Sequence, residues 1–216
     1  VLAVMTEDVF PPPLLQVLVT AGEAINDELL SRWRGKVHML NAYGPTENTV
    51  CSTVCDYDAE GIVLSAASGD AAAAGLRAAP LLVRLPPIGR VLPNYRAYIV
   101  DAHMNLVPPG VPGELCVAGP GVARGYHRLA ERTAQSFLPN HFDTSGVFPR
   151  IYRTGDLTRW LPQRPSLIEF LGRIDSQVKL RGYRIELGDI EAALLRFSVA
   201  IADCAADVRD TPSGKA

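Results

Sequence analysis

The sequence predicts an α/β layer that passes into a β-rich portion and ends in a short α+β segment. Three observations carry that expectation: a strand, helix, strand, loop order near the start, short strands broken by Pro and Gly from Pro86 onward, and a return to helical periodicity after Arg173. In the first region Gln16 to Thr20 reads as a short apolar strand, and Ile25, Leu29, Leu30 and Trp33 fall on one helical face with Asn26 and Asp27 near its start. Val37 to Leu40 is the next strand. Ligands of such layers gather in the loops that leave the strand ends, so Ala21-Gly22-Glu23 and the run at 41–47 are expected to line one crevice.

In the β-rich portion the strands expected are Arg96 to Asp101, Glu114 to Ala118, Leu157 to Leu161 and Ser166 to Leu171, which together suggest a small distorted barrel or sheet. Leu129, Thr133 and Phe137, at helical spacing, mark an intervening helix and are assigned to packing. Past Arg173, Val178 to Arg181 and Arg184 to Leu187 read as strands. They are followed by an amphipathic helix from Asp189 to Phe197 with Ile190, Ala193, Leu194 and Phe197 inward.

Composition narrows the function classes. The chain has 216 residues, 48% of them hydrophobic, and a formal net charge of -2, so it lacks the basic footprint of a nucleic-acid binder. No apolar run reaches the roughly 18–20 residues a spanning helix needs, and the N-terminal residues do not form a signal peptide; a cytoplasmic protein that needs no membrane is expected. The basic cluster Lys179, Arg181 and Arg184 fits a local phosphate, ribose or partner surface. Cys51, Cys55, Cys116 and Cys204 lack metal-ligand spacing and are read as reduced, buried, structural thiols. His38, His103, His127 and His141 share no ligand spacing and are assigned no chemistry.

The run Asn41-Ala42-Tyr43-Gly44-Pro45-Thr46-Glu47 concentrates the parts of a nucleotide site. Gly-Pro bends the chain, Thr46 can donate to a phosphate oxygen, Glu47 can hold a hard Mg²⁺, and Tyr43 can stack on a base. Alone, the run also fits a turn between two strands. Three further sparse motifs follow it in order: Gly113-Glu114-Leu115-Cys116-Val117-Ala118-Gly119-Pro120-Gly121-Val122-Ala123-Arg124-Gly125-Tyr126, continuing through Thr133 and Phe137; Tyr152-Arg153-Thr154-Gly155-Asp156-Leu157; and Gly172-Arg173-Ile174-Asp175 leading into Gln177 to Glu186.

Together these motifs closely resemble the adenylation domains of nonribosomal peptide synthetases, members of the adenylate-forming superfamily with acyl-CoA ligases and luciferases. The resemblance covers most of the chain apart from the alanine-rich residues 60–84, which read as an insertion in a surface loop. It implies the C-terminal portion of the large α/β plus β-barrel-like domain over residues 1–174, and the beginning of a small α+β C-terminal domain over 175–216. The hinge between them would be Asp175.

The implied chemistry has two steps. A carboxylate attacks the α-phosphate of ATP to give an acyl-adenylate and pyrophosphate, and the phosphopantetheine thiol of a carrier domain then takes the acyl group. By the same resemblance Thr46 and Glu47 are catalytic, Thr46 touching phosphate and Glu47 holding Mg²⁺. Gly22, Glu23, Asn41, Ala42, Tyr43, Asp156 and Arg173 bind ATP or AMP, Asp156 through the ribose hydroxyls. Gly182 lets backbone approach the thioester arm, since only a residue without Cβ permits that contact; a plain turn is the competing reading. Val19, Ala21, Ala42, Val50 and Cys51 map to the substrate pocket and favour an apolar, large or aromatic amino acid over a charged one.

The family pattern also implies parts outside the segment: a phosphate loop and an amino-group anchor upstream, and a catalytic lysine further downstream. Thr211-Pro212-Ser213-Gly214-Lys215 imitates the lysine motif but reads as a hairpin turn. The segment by itself is therefore expected to exchange little pyrophosphate, and the parent to be a larger multidomain chain. Two other readings stand beside this one: an acyl-CoA ligase of the same superfamily, which Pro45 and the run Arg184 to Glu191 fit less well, and a non-catalytic nucleotide-binding fragment.

Overall fold

The computed structural model describes residues 15–22, 25, 30, 32–33, 35–64, 81–83, 86–175, 177–180, 183–197, 201, 203–211 and 214–215. Expectations placed on Glu23, Asn26, Asp27, Leu29, Arg181, Gly182 and residues 65–80 lie outside them. The chain divides into two compact units, Val1–Gly172 and Arg173–Ala216.

In chain order the strands of the first unit are β1 (Val17–Ala21), β2 (His38–Tyr43), β3 (Thr53–Asp56), β4 (Ile62–Leu64), β5 (Leu81–Val83), β6 (Pro87–Val91), β7 (Arg96–Val100), β8 (Gly113–Ala118), β9 (Phe137–Pro139), β10 (Arg150–Leu161) and β11 (Arg164–Arg173). β1 and β2 run parallel, pairing Val19 with Leu40 and Ala21 with Ala42, as a strand-helix-strand crossover requires. Leu30, Arg32 and Trp33 between them have helical backbone.

From there the sheet is antiparallel at β2–β3, β3–β6, β6–β11, β10–β8 and β8–β7. The order β1-β2-β3-β6-β11-β10-β8-β7 makes one nine-stranded sheet with β9 attached to β10. The α/β layer and the β-rich portion are thus hydrogen-bonded into one sheet through β6. Gly89 permits that join: its φ is +87°, and a Cβ there would lie 2.0 Å from the Val54 carbonyl oxygen.

Buried clusters pack against the sheet. Ile25, Leu30, Trp33, Val37, Met39, Cys55, Tyr57, Ile62, Leu161 and Leu167 form one buried cluster. β8 is buried along its whole length, with Leu115 and Val117 in a cluster with Tyr43, Ile88, Ile99 and Ile168, and Cys116 and Ala118 in another with Val100 and Ile151. A strand buried on both sides reads as a continuous apolar run, as Leu115 to Ala118 does. Full burial of the larger of these, Leu115 and Val117, contributes about 1.5–3 kcal/mol each.

Several expectations change. The strand expected at Leu157–Leu161 begins at Arg150, and its partner, expected from Ser166, begins at Arg164. Residues 60–84 are not simply a surface loop at their start. Ile62 is fully buried in the core, Glu60 pairs with Arg90 and Arg164, and β4 and β5 pair in parallel. The helix Ala130–Ser136 does not pack through the three residues expected: Leu129 is exposed, Thr133 hydrogen-bonds the Tyr126 backbone, and the buried Phe137 already belongs to β9. Cys55 and Cys116 are buried, whereas Cys51 and Cys204 are half-buried.

The second unit contains the hairpin β12 (Gln177–Leu180) and β13 (Tyr183–Glu186), the helix Leu187–Phe197, and a short pair β14 (Asp210–Thr211) and β15 (Gly214–Lys215). Lys215 lies in this last hairpin, which pairs Asp210 with Lys215 and Thr211 with Gly214. Ile190, Leu194 and Phe197, expected inward, are exposed, Phe197 at 87%. Periodicity marked the apolar face of this helix correctly, but in this unit that face is not buried. Among the described residues no helix is long and apolar enough to cross a membrane.

Candidate functional site

β2 ends in the run that begins at Asn41. Asn41, Ala42 and Tyr43 are buried, and the Asn41 amide works within the sheet: Nδ2 donates to the Pro87 carbonyl at 3.2 Å and Oδ1 accepts from Thr20 Oγ1 at 3.3 Å. Pro45 is extended, Thr46–Asn48 form one 3-10 turn, and Thr49 and Val50 then adopt left-handed backbone with φ of 54° and 68°. Two consecutive β-branched residues in that region are strained, and such strain persists only where the surroundings over-determine it. Here they do. Cys51 N donates to Thr49 O at 2.9 Å, Ser52 N to Tyr43 O at 2.8 Å, Thr49 Oγ1 to Gly121 O at 2.7 Å, and Ala123 N to Glu47 O at 2.8 Å. The segment Gly119 to Tyr126 is therefore laid along the Thr46 to Val50 loop.

Two bridges tie this loop to β10. In one, the Tyr43 hydroxyl donates to Asp156 Oδ2, with Asp156 only 4% exposed. In the other, Tyr126 Oη donates to Glu47 Oε1 at 2.7 Å and lies 3.5 Å from the hydroxyl of Tyr152, four residues before Asp156 on the same strand. The two carboxylates thus attach to one strand–loop junction. The Tyr43 ring is 8% exposed and packs toward Phe170, with ring centres 6.3 Å apart.

Asp156 is presented by a bulge. The β8–β10 register shifts between Arg153 and Leu157, and a bulge re-aims the side chains beside it. Glu114 braces the irregular turn from β8, accepting from Arg153 Nε at 3.0 Å, from Arg153 Nη2 at 2.5 Å and from the Gly155 amide at 3.1 Å. Thr154 Oγ1 donates to Leu115 O at 2.8 Å and accepts from Asp156 N at 3.0 Å. Tyr152-Arg153-Thr154-Gly155-Asp156 is therefore a strand with a pinned kink.

The expected pocket residues differ in exposure. Ala42 is buried, Cys51 half-buried, and Ala21, Val19 and Val50 exposed, Val19 at 56% and Val50 at 74%; Gly22, expected at the nucleotide, is exposed too. Thr46 is exposed and Glu47 half-buried. In the second unit Arg173 forks onto Asp175, Nε to Oδ1 at 2.9 Å and Nη2 to Oδ2 at 2.5 Å, while Gln177 N donates to Asp175 Oδ1 at 3.1 Å. Burial pushes the Cys116 thiol up to about 12 and raises Cys55 and Cys51 as well, which favours the thiol over the nucleophilic thiolate.

No group of three or more His, Cys, Asp or Glu able to hold a metal occurs among the described residues. Sequence reasoning placed Glu114, Tyr126 and Tyr152 inside motifs without giving them roles. Their contacts join residues 39, 79 and 26 positions apart, a pairing that local pattern does not encode.

The site is thus a mixed sheet with the Glu47 and Asp156 carboxylates each bridged by a tyrosine beside a strained loop, and similarity to known proteins shows the class to which it belongs. Residues 5–127 match the family model "AMP-binding enzyme". The chain belongs to the AMP-binding enzyme family, and its relatives are nonribosomal peptide synthetases. It is 46% identical over 183 residues to bacitracin synthase 3 of Bacillus licheniformis, covering 85% of this chain and 2% of that one. It is 42% identical over 204 residues to tyrocidine synthase 2 of Brevibacillus parabrevis, covering 94% of this chain and 5% of that one.

Among solved structures it is similar to PA1221, an NRPS protein containing adenylation and PCP domains, with TM-score 0.71 and 31% identity, covering 93% of this chain and 37% of that one. The chain spans a small fraction of the length of these synthetases and about a third of the solved adenylation protein.

Proposed function

We propose that the protein carrying this chain activates an apolar amino acid with ATP and passes it to a carrier domain. In the first step a carboxylate oxygen of the amino acid bonds to the α-phosphorus while the bond to pyrophosphate breaks, giving aminoacyl-AMP. In the second, the sulfur of a phosphopantetheine thiol bonds to the acyl carbon, the thiol proton departs, and AMP leaves. Reactions of this kind are catalysed mainly by positioning and electrostatics, which is what fixed carboxylates and loop amides supply.

The observation that supports this reading best is the double bridge, Tyr43 to Asp156 and Glu47 to Tyr126, at one strand–loop junction. Asp156 would accept and orient the ribose, Gly22, Ala42 and Tyr43 would border the adenine, and Glu23 and Asn41 would belong to the same nucleotide-binding run. Thr46 would donate to phosphate. Glu47 would hold Mg²⁺, which when bound neutralises phosphate charge. Val19, Ala21, Ala42, Val50 and Cys51 would line the side-chain pocket. They offer no charged partner, so burying an ionic side chain against them costs several kcal/mol. Asp175 would act as the hinge and Gly182 would admit the thioester arm.

Amino-acid-dependent ATP–pyrophosphate exchange by the intact protein tests the reading. Apolar side chains, aromatic ones included, are expected to lead the panel, and Glu47→Ala to depress exchange at least about a hundredfold at limiting Mg²⁺. A preference for aspartate, glutamate, lysine or arginine would refute the pocket. Magnesium dependence unchanged in Glu47→Ala would remove Glu47 from the metal site, and ATP binding without any exchange would make the protein a nucleotide binder.

A further inference from the structure

We propose that Tyr126 is a positioning residue that holds the Glu47 carboxylate in the orientation used for the magnesium–nucleotide complex. The inference rests on the role given to Glu47 above and adds a second residue to it.

Tyr126 is itself held from several sides. Its backbone N–H donates to Thr133 Oγ1 at 2.9 Å, fixing it against the helix Ala130–Ser136. Gly125 before it has a φ of +144°, and a Cβ at that position would lie 2.4 Å from Thr133 Cγ2, so the approach of this turn to the helix requires glycine. Arg132 lies over the ring, 5.0 Å from its centre, and Phe137 meets its edge with centres 5.4 Å apart. The spacing Arg124-Gly125-Tyr126 to Thr133 to Phe137 thereby becomes one device, with glycine for the approach, threonine for the backbone anchor and phenylalanine for the ring wall.

The device points at one oxygen. Tyr126 Oη donates to Glu47 Oε1 at 2.7 Å, while the same segment holds the Glu47 backbone through Ala123 N. A carboxylate on a one-turn 3-10 element rotates readily unless a donor fixes it, and a metal ligand works only if its lone pairs face the ion.

The test uses the intact protein and its Tyr126→Phe variant. Binding of Mn²⁺ in the presence of a non-hydrolysable ATP analogue is followed by electron paramagnetic resonance, alongside the Mg²⁺ dependence of pyrophosphate exchange. Tyr126→Phe is expected to weaken Mn²⁺ binding about tenfold and to raise the apparent KM for Mg²⁺ similarly, with kcat at saturating Mg²⁺ within about threefold. In the double variant with Glu47→Gln the loss is expected to equal that of Glu47→Gln alone, because the tyrosine acts through that carboxylate.

Unchanged Mn²⁺ binding in Tyr126→Phe with a clear loss in Glu47→Gln would overturn the inference while leaving the role of Glu47 intact. Unchanged binding in Glu47→Gln would overturn both. Should Tyr126→Phe fail to fold, Thr133→Val, which removes only the backbone anchor, is expected to weaken Mn²⁺ binding in the same direction. No shift in that variant would overturn the positioning role.

Discussion

The hydroxyl of Tyr43 on β2 donates a hydrogen bond to Oδ2 of Asp156 on β10, 113 residues further along the chain. The two residues belong to separate motifs, and the bond fixes the strand end of one against the bulge of the other.

Replacing Tyr43 by Phe keeps the ring in its cluster but removes a donor from a carboxylate that is 4% exposed. A stability loss of about 1–3 kcal/mol is expected, the usual range for removing a hydrogen bond from a buried acceptor. Urea unfolding of the intact protein should show a lower midpoint at unchanged slope. An unmoved midpoint would mean that the bond contributes nothing net.

Asp175→Pro tests the hinge role proposed for Asp175. Proline fixes φ near −65°, and the substitution also removes the carboxylate that Arg173 grips through two bonds. Pyrophosphate exchange is expected to stay within about threefold while transfer to the carrier thiol falls more than about tenfold. Asp175→Ala removes the same carboxylate without fixing φ, so an equal transfer defect in both variants would assign the effect to the lost ion pair.

Gly89 and Gly146 separate backbone strain from collision. Both have positive φ, +87° and +72°, but a Cβ at Gly146 meets nothing within 4 Å, whereas at Gly89 it would sit 2.0 Å from Val54 O. Gly146→Ala is expected to cost about 1 kcal/mol from conformation alone. Gly89→Ala must also push apart β3 and β6, where the sheet is joined, and is expected to cost more than about 3 kcal/mol. Equal melting temperatures for the two variants would contradict the close approach.

Glu60 carries a pH dependence. Its hydrogen bond from Arg90 is the largest influence and holds the carboxyl below its ordinary range, against the opposing effect of burial. The unfolded chain binds this proton at a higher pH, near about 4.3. The stabilisation is therefore fully present above that value and is lost as pH falls through the lower folded value. The unfolding midpoints of wild type and Glu60→Gln should converge on going from about pH 6 to about pH 3. A difference that stays constant would show that Glu60 does not titrate differently on folding.

By itself the sequence determined the family and the order of elements, because strands buried on both faces and sparse glycine-rich motifs are local patterns. Leu115 to Ala118 announces a buried strand without help from any partner. Tertiary structure decided what spacing cannot carry. It joined β3 to β11 through β6 at Gly89, and it brought Tyr126 to Glu47 across 79 residues. It also left Phe197 exposed, although the helix periodicity is the same whether or not a surface lies opposite. A side chain's neighbours within a turn or a pleat are fixed by backbone geometry, whereas its partner across the sheet depends on strand order and on which close approaches the glycines permit.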